Sequence, residues 1–169
     1  MATPETMIAG SVARRIRRGE VALKGRAARE TVTLLQDVPL FSGLSKRDLR
    51  RIAALAKQVA FAPGRTIVER GVRGDCFYLI ADGTAKVYRS VVPTGRAIAR
   101  LGPGDFFGEM ALLDGGPRTA TVVAETRVAA IKVPRPSFRQ LLLKEPTVGL
   151  RMLEEMAQRA RRREPIQRQ

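Results

Sequence analysis

Apolar positions recur at helical spacing at both ends of the chain and change to short, turn-bounded runs between them. Ile8, Val12 and Ile16 fall on one face with arginines on the others, which predicts a helix over 7–18 that Gly19 can end. Gly25 interrupts the next stretch, and residues 27–36 predict a second, short helix. Ser45 stands three places before Asp48, an N-cap followed by an acid. Leu49, Ile52, Ala53, Leu55 and Ala56 then supply the buried stripe of a helix near 46–58. From Val59 the period shortens. Strands are predicted at Thr66–Glu69, Cys76–Ala81, Thr84–Arg89, Ala97–Leu101, Ala120–Ala124 and Arg127–Val133. Asp82-Gly83 carries a hairpin signal, because glycine takes φ > 0 cheaply. After Pro136 the pattern is helical again. Ser137 caps a short helix through Leu143, and Pro146 opens a longer one to about Arg163. Helix, compact β-roll, helix is the architecture this implies, a sandwich, barrel or jelly roll at its centre.

Composition narrows the chemistry. The chain has 169 residues, 44% of them hydrophobic, enough for a core of its own. It has no histidine, which removes Ser-His and Cys-His catalysis and the usual proton shuttle at neutral pH. One cysteine, Cys76, excludes a disulfide within the chain and, without histidine, disfavours a zinc site. No apolar run reaches the roughly 18 residues that a spanning helix needs, and no secretory leader is legible at the N-terminus. A cytoplasmic protein without a metal is the expectation. The formal charge is +15 and is spread along the chain, with dense clusters at Arg14, Arg15, Arg17 and Arg18 and at Arg159, Arg161, Arg162 and Arg163. Such an excess supports non-specific adhesion to nucleic acid or acidic lipid, and equally describes solvated helix ends.

The segment from Gly102 to Val122 carries the chemistry. Its glycines let the backbone bend tightly against a ligand. Glu109 to Leu112 are good helix formers, so a helical turn starts at the Gly108-Glu109 step and directs N–H groups toward an anion. Arg118 comes next, on the entry to a strand, with a guanidinium suited to phosphate oxygens. A carboxylate at Glu109 repels phosphate but accepts from a sugar hydroxyl. Together these describe a nucleotide whose ribose and phosphate are held close together.

The run Phe107-Gly108-Glu109, Ala111-Leu112-Leu113 and Pro117-Arg118-Thr119-Ala120-Thr121-Val122 resembles the phosphate-binding cassette of cyclic nucleotide-binding domains, found in catabolite-activator regulators and regulatory subunits of cAMP-dependent kinase. Leu40-Phe41, Leu44, Pro63-Gly64, Ile67, Gly71, Gly74-Asp75, Tyr78, Ile80, Gly83, Leu101, Gly104-Asp105 and Phe107 fit the same family in order, so the likeness covers roughly Asp37 to Lys144 and the following helix. The resemblance implies an α+β, mainly β fold. It is an eight-stranded β-roll or jelly roll flanked by N-terminal and C-terminal helices, with a short phosphate-cassette helix. It implies three segments: a basic helical extension over 1–36, the roll over 37–144, and a lid or dimer helix with a basic tail over 145–169. It implies ligand contacts from Phe107, Gly108, Glu109, Met110, Ala111, Arg118, Thr119 and Ala120. Within that set Glu109 accepts from the ribose 2′-OH, Arg118 pairs with the phosphate, and Asp75 holds Arg118 from behind. Leu150, Leu153 and Met156 are the candidates for a lid over the base.

Each residue has a plainer reading. Arg118 can be a surface arginine, Glu109 a helix-start residue, Asp75 a turn cap, and the lid residues generic core or dimer packing. The implied function is a non-enzymatic receptor for cAMP or, second, cGMP, which closes the last helix and signals to a protein effector, with a homodimer through that helix possible. Thr119 does not settle the base; the Arg- and Ala-rich, bacterial-looking composition leans toward cAMP. The chain stops soon after Arg163, leaving no room for a helix-turn-helix, so sequence-specific DNA binding is not expected. The alternative is a scaffold with a degenerate site, acting through its basic ends on acidic membrane or nucleic acid. A phosphodiesterase lacks the histidines and metal ligands it would need.

Overall fold

A computed structural model describes residues 20–22 and 28–163. The predicted helix over 7–18 and the Arg14–Arg18 cluster lie outside the described residues. Strand β1 (Glu20–Ala22) comes first, then helix α1 (Ala28–Gln36), a 3-10 turn at Pro39–Phe41 and helix α2 (Lys46–Leu55). Ser45 caps α2, its Oγ accepting from the Asp48 N–H at 3.1 Å. The helix ends earlier than its stripe suggests. Ala56 is extended, Leu55 is exposed, and Lys57–Phe61 forms strand β2, paired antiparallel with β9 (Val128–Pro134). Between them lie β3 (Thr66–Val68), β4 (Cys76–Asp82), β5 (Ala85–Tyr88), β6 (Ala99–Leu101), β7 (Phe106–Phe107), helix α3 (Glu109–Asp114) and β8 (Thr121–Ala124). Helices α4 (Arg135–Lys144) and α5 (Pro146–Arg163) close the described chain. Eight strands, β2 to β9, make the roll, and β1 adds an antiparallel edge along β2 that the sequence pattern does not signal.

The strands form two antiparallel sheets, β1-β2-β9-β4-β7 and β3-β8-β5-β6. This changes the meaning of Asp82-Gly83. It is not a hairpin, because β4 and β5 lie in different sheets; it is a corner that carries the chain from one sheet to the other. Gly83 sits at φ +85°, and a Cβ there would stand 2.0 Å from the Arg127 carbonyl oxygen, so only glycine fits the corner.

Strand alternation produces two cores. Tyr78, Ile80, Val87, Leu101, Phe107 and Val122 are buried between the sheets. Phe77, Leu79, Ile131 and Val133 point the other way, under the helices, and meet Leu35, Leu49, Ile52, Leu112, Phe138, Val148 and Met152. Both faces of β4 are therefore covered, which explains its nearly unbroken apolar run. Phe77 stacks on Phe138 with centroids 4.9 Å apart, and Tyr78 stacks on Phe107 at 5.1 Å. Helix α4 starts two residues before the predicted cap. Pro134 rather than Ser137 is its N-cap, and Pro136 is tolerated in the first turn because no intrahelical bond is lost there. Among the described residues no helix is long and apolar enough to cross a membrane.

Candidate functional site

The site begins where β7 runs into α3. Gly108 links them at φ +89°, a left-handed conformation, and a Cβ there would lie 2.4 Å from Arg118 Nη1 and 2.9 Å from the Cys76 carbonyl oxygen. Leu112 and Ala111 are buried beneath α3, which fixes the short helix on the roll. Its first residue, Glu109, is buried as well. Past α3 the chain returns as a bridge from Pro117 to Arg73. The Arg118 N–H donates to the Val72 carbonyl at 2.9 Å, and the Gly71 N–H donates to the Arg118 carbonyl at 2.9 Å. Arg118 is thereby held at both ends of its peptide and projects inward.

Its guanidinium is buried, 7% exposed, and donates from Nη2 to the Cys76 carbonyl at 2.7 Å and from Nη1 to the Gly108 carbonyl at 3.0 Å. The expected support from Asp75 takes a different form. Asp75 is exposed, and neutral backbone carbonyls hold the arginine. Asp75 acts on Arg118 as a nearby negative charge. Burial lowers the Arg118 pKa from its ordinary range, and Tyr78, Asp75, Cys76 and Glu109 work against that fall. Burial also pushes the Cys76 thiol up to about 11, Lys132 opposing it and Asp75 adding to it.

Arg118 and Glu109 share a cavity of about 390 Å³. Its floor is apolar, from Val68, Val87, Leu101 and Val122, all of the β3-β8-β5-β6 sheet. Phe107, Gly108, Met110, Ala111, Thr119 and Ala120 line the cassette side, so every residue of the expected ligand set reaches it. The Thr119 hydroxyl lies 3.8 Å from Met110 Sδ at the exposed edge. Helix α5 covers a third side. Of the three lid candidates only Met156 lines the cavity; Leu150 and Leu153 are 58% and 60% exposed and face away. The cause is the rotation of α5. Val148 and Met152 are locked in the core, so the inward stripe continues through Met156 to Arg159, not through the leucines. Arg159 belongs to the arginine cluster that the sequence alone describes as a solvated helix end, yet it lines the cavity with Ala160. The signal for it is the spacing 148, 152, 156, 159.

A cation held by neutral carbonyls, an adjacent buried carboxylate and an apolar floor suit a ligand with an anionic group, a hydroxyl and a flat apolar portion. Comparisons with known proteins give the family. Residues 58–145 match the family described as the cyclic nucleotide-binding domain. The cAMP-dependent protein kinase regulatory subunit of Aspergillus fumigatus is 40% identical over 108 residues, covering 64% of this chain and 26% of that protein. The chain thus spans about a quarter of the length of the curated relatives it matches. Among solved structures, the regulatory domain of Toxoplasma gondii PKA with cAMP is 25% identical with a TM-score of 0.67, covering 91% of this chain and 55% of that one. The Thermus thermophilus catabolite activator protein is 31% identical with a TM-score of 0.64, covering 73% and 58%. The curated relatives named are fungal, so the expectation of a bacterial chain gains nothing from them.

Proposed function

The chain belongs to the cyclic nucleotide-binding domain family, and from that membership we propose that it is a non-enzymatic regulatory receptor for a purine cyclic nucleotide, cAMP before cGMP. The observation that carries the reading is Arg118: a buried guanidinium, in the same cavity as buried Glu109, over a floor of apolar side chains. In this reading Arg118 and the N–H groups from Gly108 onward take the cyclic phosphate, and Glu109 accepts from the ribose 2′-OH. Met110, Ala111, Thr119 and Ala120 border the sugar and base, and Asp75 supports Arg118 electrostatically. The Toxoplasma relative solved with cAMP supports the choice of adenine nucleotide.

Helix α5 is the element that reports occupancy. It packs in the helical core through Val148 and Met152 and reaches the cavity through Met156, so a ligand that contacts Met156 favours one position of the helix over another. A protein effector in the cytoplasm reads that position. The exposed Leu143, Leu150 and Leu153 offer a surface for a second copy of the chain.

The test is a thermal-shift panel of cAMP, cGMP and 5′-AMP. At a hundred times its Kd a ligand stabilises by about 2.7 kcal/mol, which raises Tm by roughly 5–10 °C in a chain of this size. A rise of that order with cAMP, smaller with cGMP and absent with 5′-AMP, is expected. No shift with any cyclic nucleotide overturns the reading.

A further inference from the structure

The loop between β5 and β6 carries three consecutive exposed apolar residues, Val91, Val92 and Pro93. Val91 is 50% exposed and Val92 62%. Single exposed valines are ordinary on a protein surface, but an unbroken apolar run at a loop tip calls for something that covers it. The turn that presents them is tied internally. The Val92 carbonyl accepts from the Thr94 N–H at 2.7 Å and from the Ser90 hydroxyl. Beneath the turn the buried Thr121 hydroxyl donates to the Ser90 carbonyl at 2.7 Å and accepts from the Arg70 N–H at 3.1 Å. Arg70 also donates from Nη1 to the Arg89 carbonyl. The backbone oxygens of residues 89, 90 and 92 are thus taken, and the loop is fastened to the ends of β3 and β8 with its aliphatic side chains outside.

The charge around the tip has one sign. From Thr84 to Gly104 the chain holds Lys86, Arg89, Arg96 and Arg100 and no acid. Lys86 and Arg100, on the strands of the hairpin, both pair with Glu125. Arg89 and Arg96, in the loop, are exposed and form no ion pair among the described residues, and neither does Arg70. Three arginines therefore stand against one carboxylate that adjoins them in the chain, Glu69.

We propose that this tip docks on an anionic lipid surface, with Val91 and Val92 entering the interface and Arg70, Arg89 and Arg96 at the level of the headgroup phosphates. Lipid supplies both things the tip lacks, an apolar medium for the valines and negative charge for the arginines. Nucleic acid supplies only the second, because single-stranded bases stack on aromatic rings and the tip offers branched aliphatic groups. A folded protein partner needs roughly 800 Å² from each side, far more than three residues of a projecting loop provide.

The full chain is mixed with vesicles of phosphatidylcholine alone and of three parts phosphatidylcholine to one part phosphatidylserine, and the bound fraction is read by sedimentation. Melting curves establish that each variant is folded. Val91→Ser/Val92→Ser leaves the charge intact and should weaken binding to the anionic vesicles about tenfold or more, since two half-exposed valines no longer leave water. Arg89→Gln/Arg96→Gln should weaken it about 30-fold, the attraction of two cations near the surface. Arg47→Gln/Arg50→Gln removes the same charge from exposed positions on α2, which packs in the helical core against the other sheet. It should cost less than about threefold, because charges away from the contact are screened. The chain has no tryptophan, so Val92→Trp supplies a single reporter. Its emission should shift to the blue with the anionic vesicles and stay unchanged with phosphatidylcholine alone. Full binding by the valine variant, an unshifted tryptophan, or equal losses from the two arginine pairs overturns the proposal and leaves charge adhesion alone. Loss of binding to a short DNA duplex by Arg89→Gln/Arg96→Gln, with vesicle binding unchanged, overturns it in favour of nucleic acid.

Discussion

Gly74 is where the roll leaves room for the Arg118 guanidinium, and filling that room tests whether the packing around the arginine matters for binding. A Cβ on Gly74 would lie 2.7 Å from Arg118 Cζ, 2.8 Å from Arg118 Nε and 2.8 Å from Ala111 Cβ. Carbon atoms pack best at about 3.5–4.0 Å, so something must move by close to 1 Å. The guanidinium cannot slide without weakening its bonds to the Cys76 and Gly108 carbonyls, and Ala111 is buried on α3. Overpacking of this kind costs about 1–3 kcal/mol of stability. Loss of one charged hydrogen bond is of similar size, so Gly74→Ala should also weaken cAMP binding about 10- to 100-fold. Gly71→Ala is the control. Its φ of +85° makes alanine strained, at about 1–2 kcal/mol, but nothing lies within 4 Å of its Cβ. Both variants should therefore melt earlier in denaturant, while only Gly74→Ala loses affinity in a calorimetric titration. Wild-type affinity for Gly74→Ala, or equal losses in both, would show that the packing at Gly74 does not position Arg118 for the ligand.

The same geometry predicts three other outcomes. Phe138→Ala removes a fully buried ring stacked on Phe77 and should cost about 3–5 kcal/mol, read as a lower urea midpoint. Met156→Ala should weaken cAMP binding severalfold while Leu150→Ala and Leu153→Ala leave it within about twofold, since only Met156 lines the cavity; equal effects at all three would contradict the rotation of α5. The Cys76 thiol, raised from 9.0 to about 11, keeps its proton in the native chain after the unfolded chain has released it. Its contribution is complete below pH 9 and is lost as pH rises toward 11. The stability difference between wild type and Cys76→Ala should shrink over that window, and urea midpoints at pH 7.5 and 10.5 check it.

The cassette is legible in the sequence because its constraints are local. Gly108 needs a left-handed turn, Glu109 comes directly after it, and Arg118 returns nine residues later on a strand entry, all within one short stretch of chain. Six strands, β3, β4, β5, β6, β8 and β9, are legible too, as segments, while β1, β2 and the two-residue β7 are not. Which strands pair is not, because Asp82-Gly83 looks the same whether it joins two strands of one sheet or turns a corner between sheets. The extent of α2 is overestimated because Leu55 and Ala56 continue a helical spacing that tertiary pairing of Lys57–Phe61 with β9 interrupts. On the last helix, counting leucines favours Leu150 and Leu153, while the rotation is set by Val148 and Met152 in the core. Arg159 is hidden by its company, one arginine in a cluster of four, until packing shows that it faces inward. Asp75 does act on Arg118, but the oxygens that hold the guanidinium belong to the backbone, which residue types do not reveal.

In the proposed function Arg118 holds the anionic group of a cyclic nucleotide. The most direct measurement is a pair of calorimetric titrations with cAMP, one on the wild-type chain and one on Arg118→Ala, with melting curves showing both folded. Saturable binding with one ligand per chain is expected for the wild type, and a loss of about 1.5–3 kcal/mol, some 10- to 150-fold, in the variant. Equal affinity in the two proteins would contradict it.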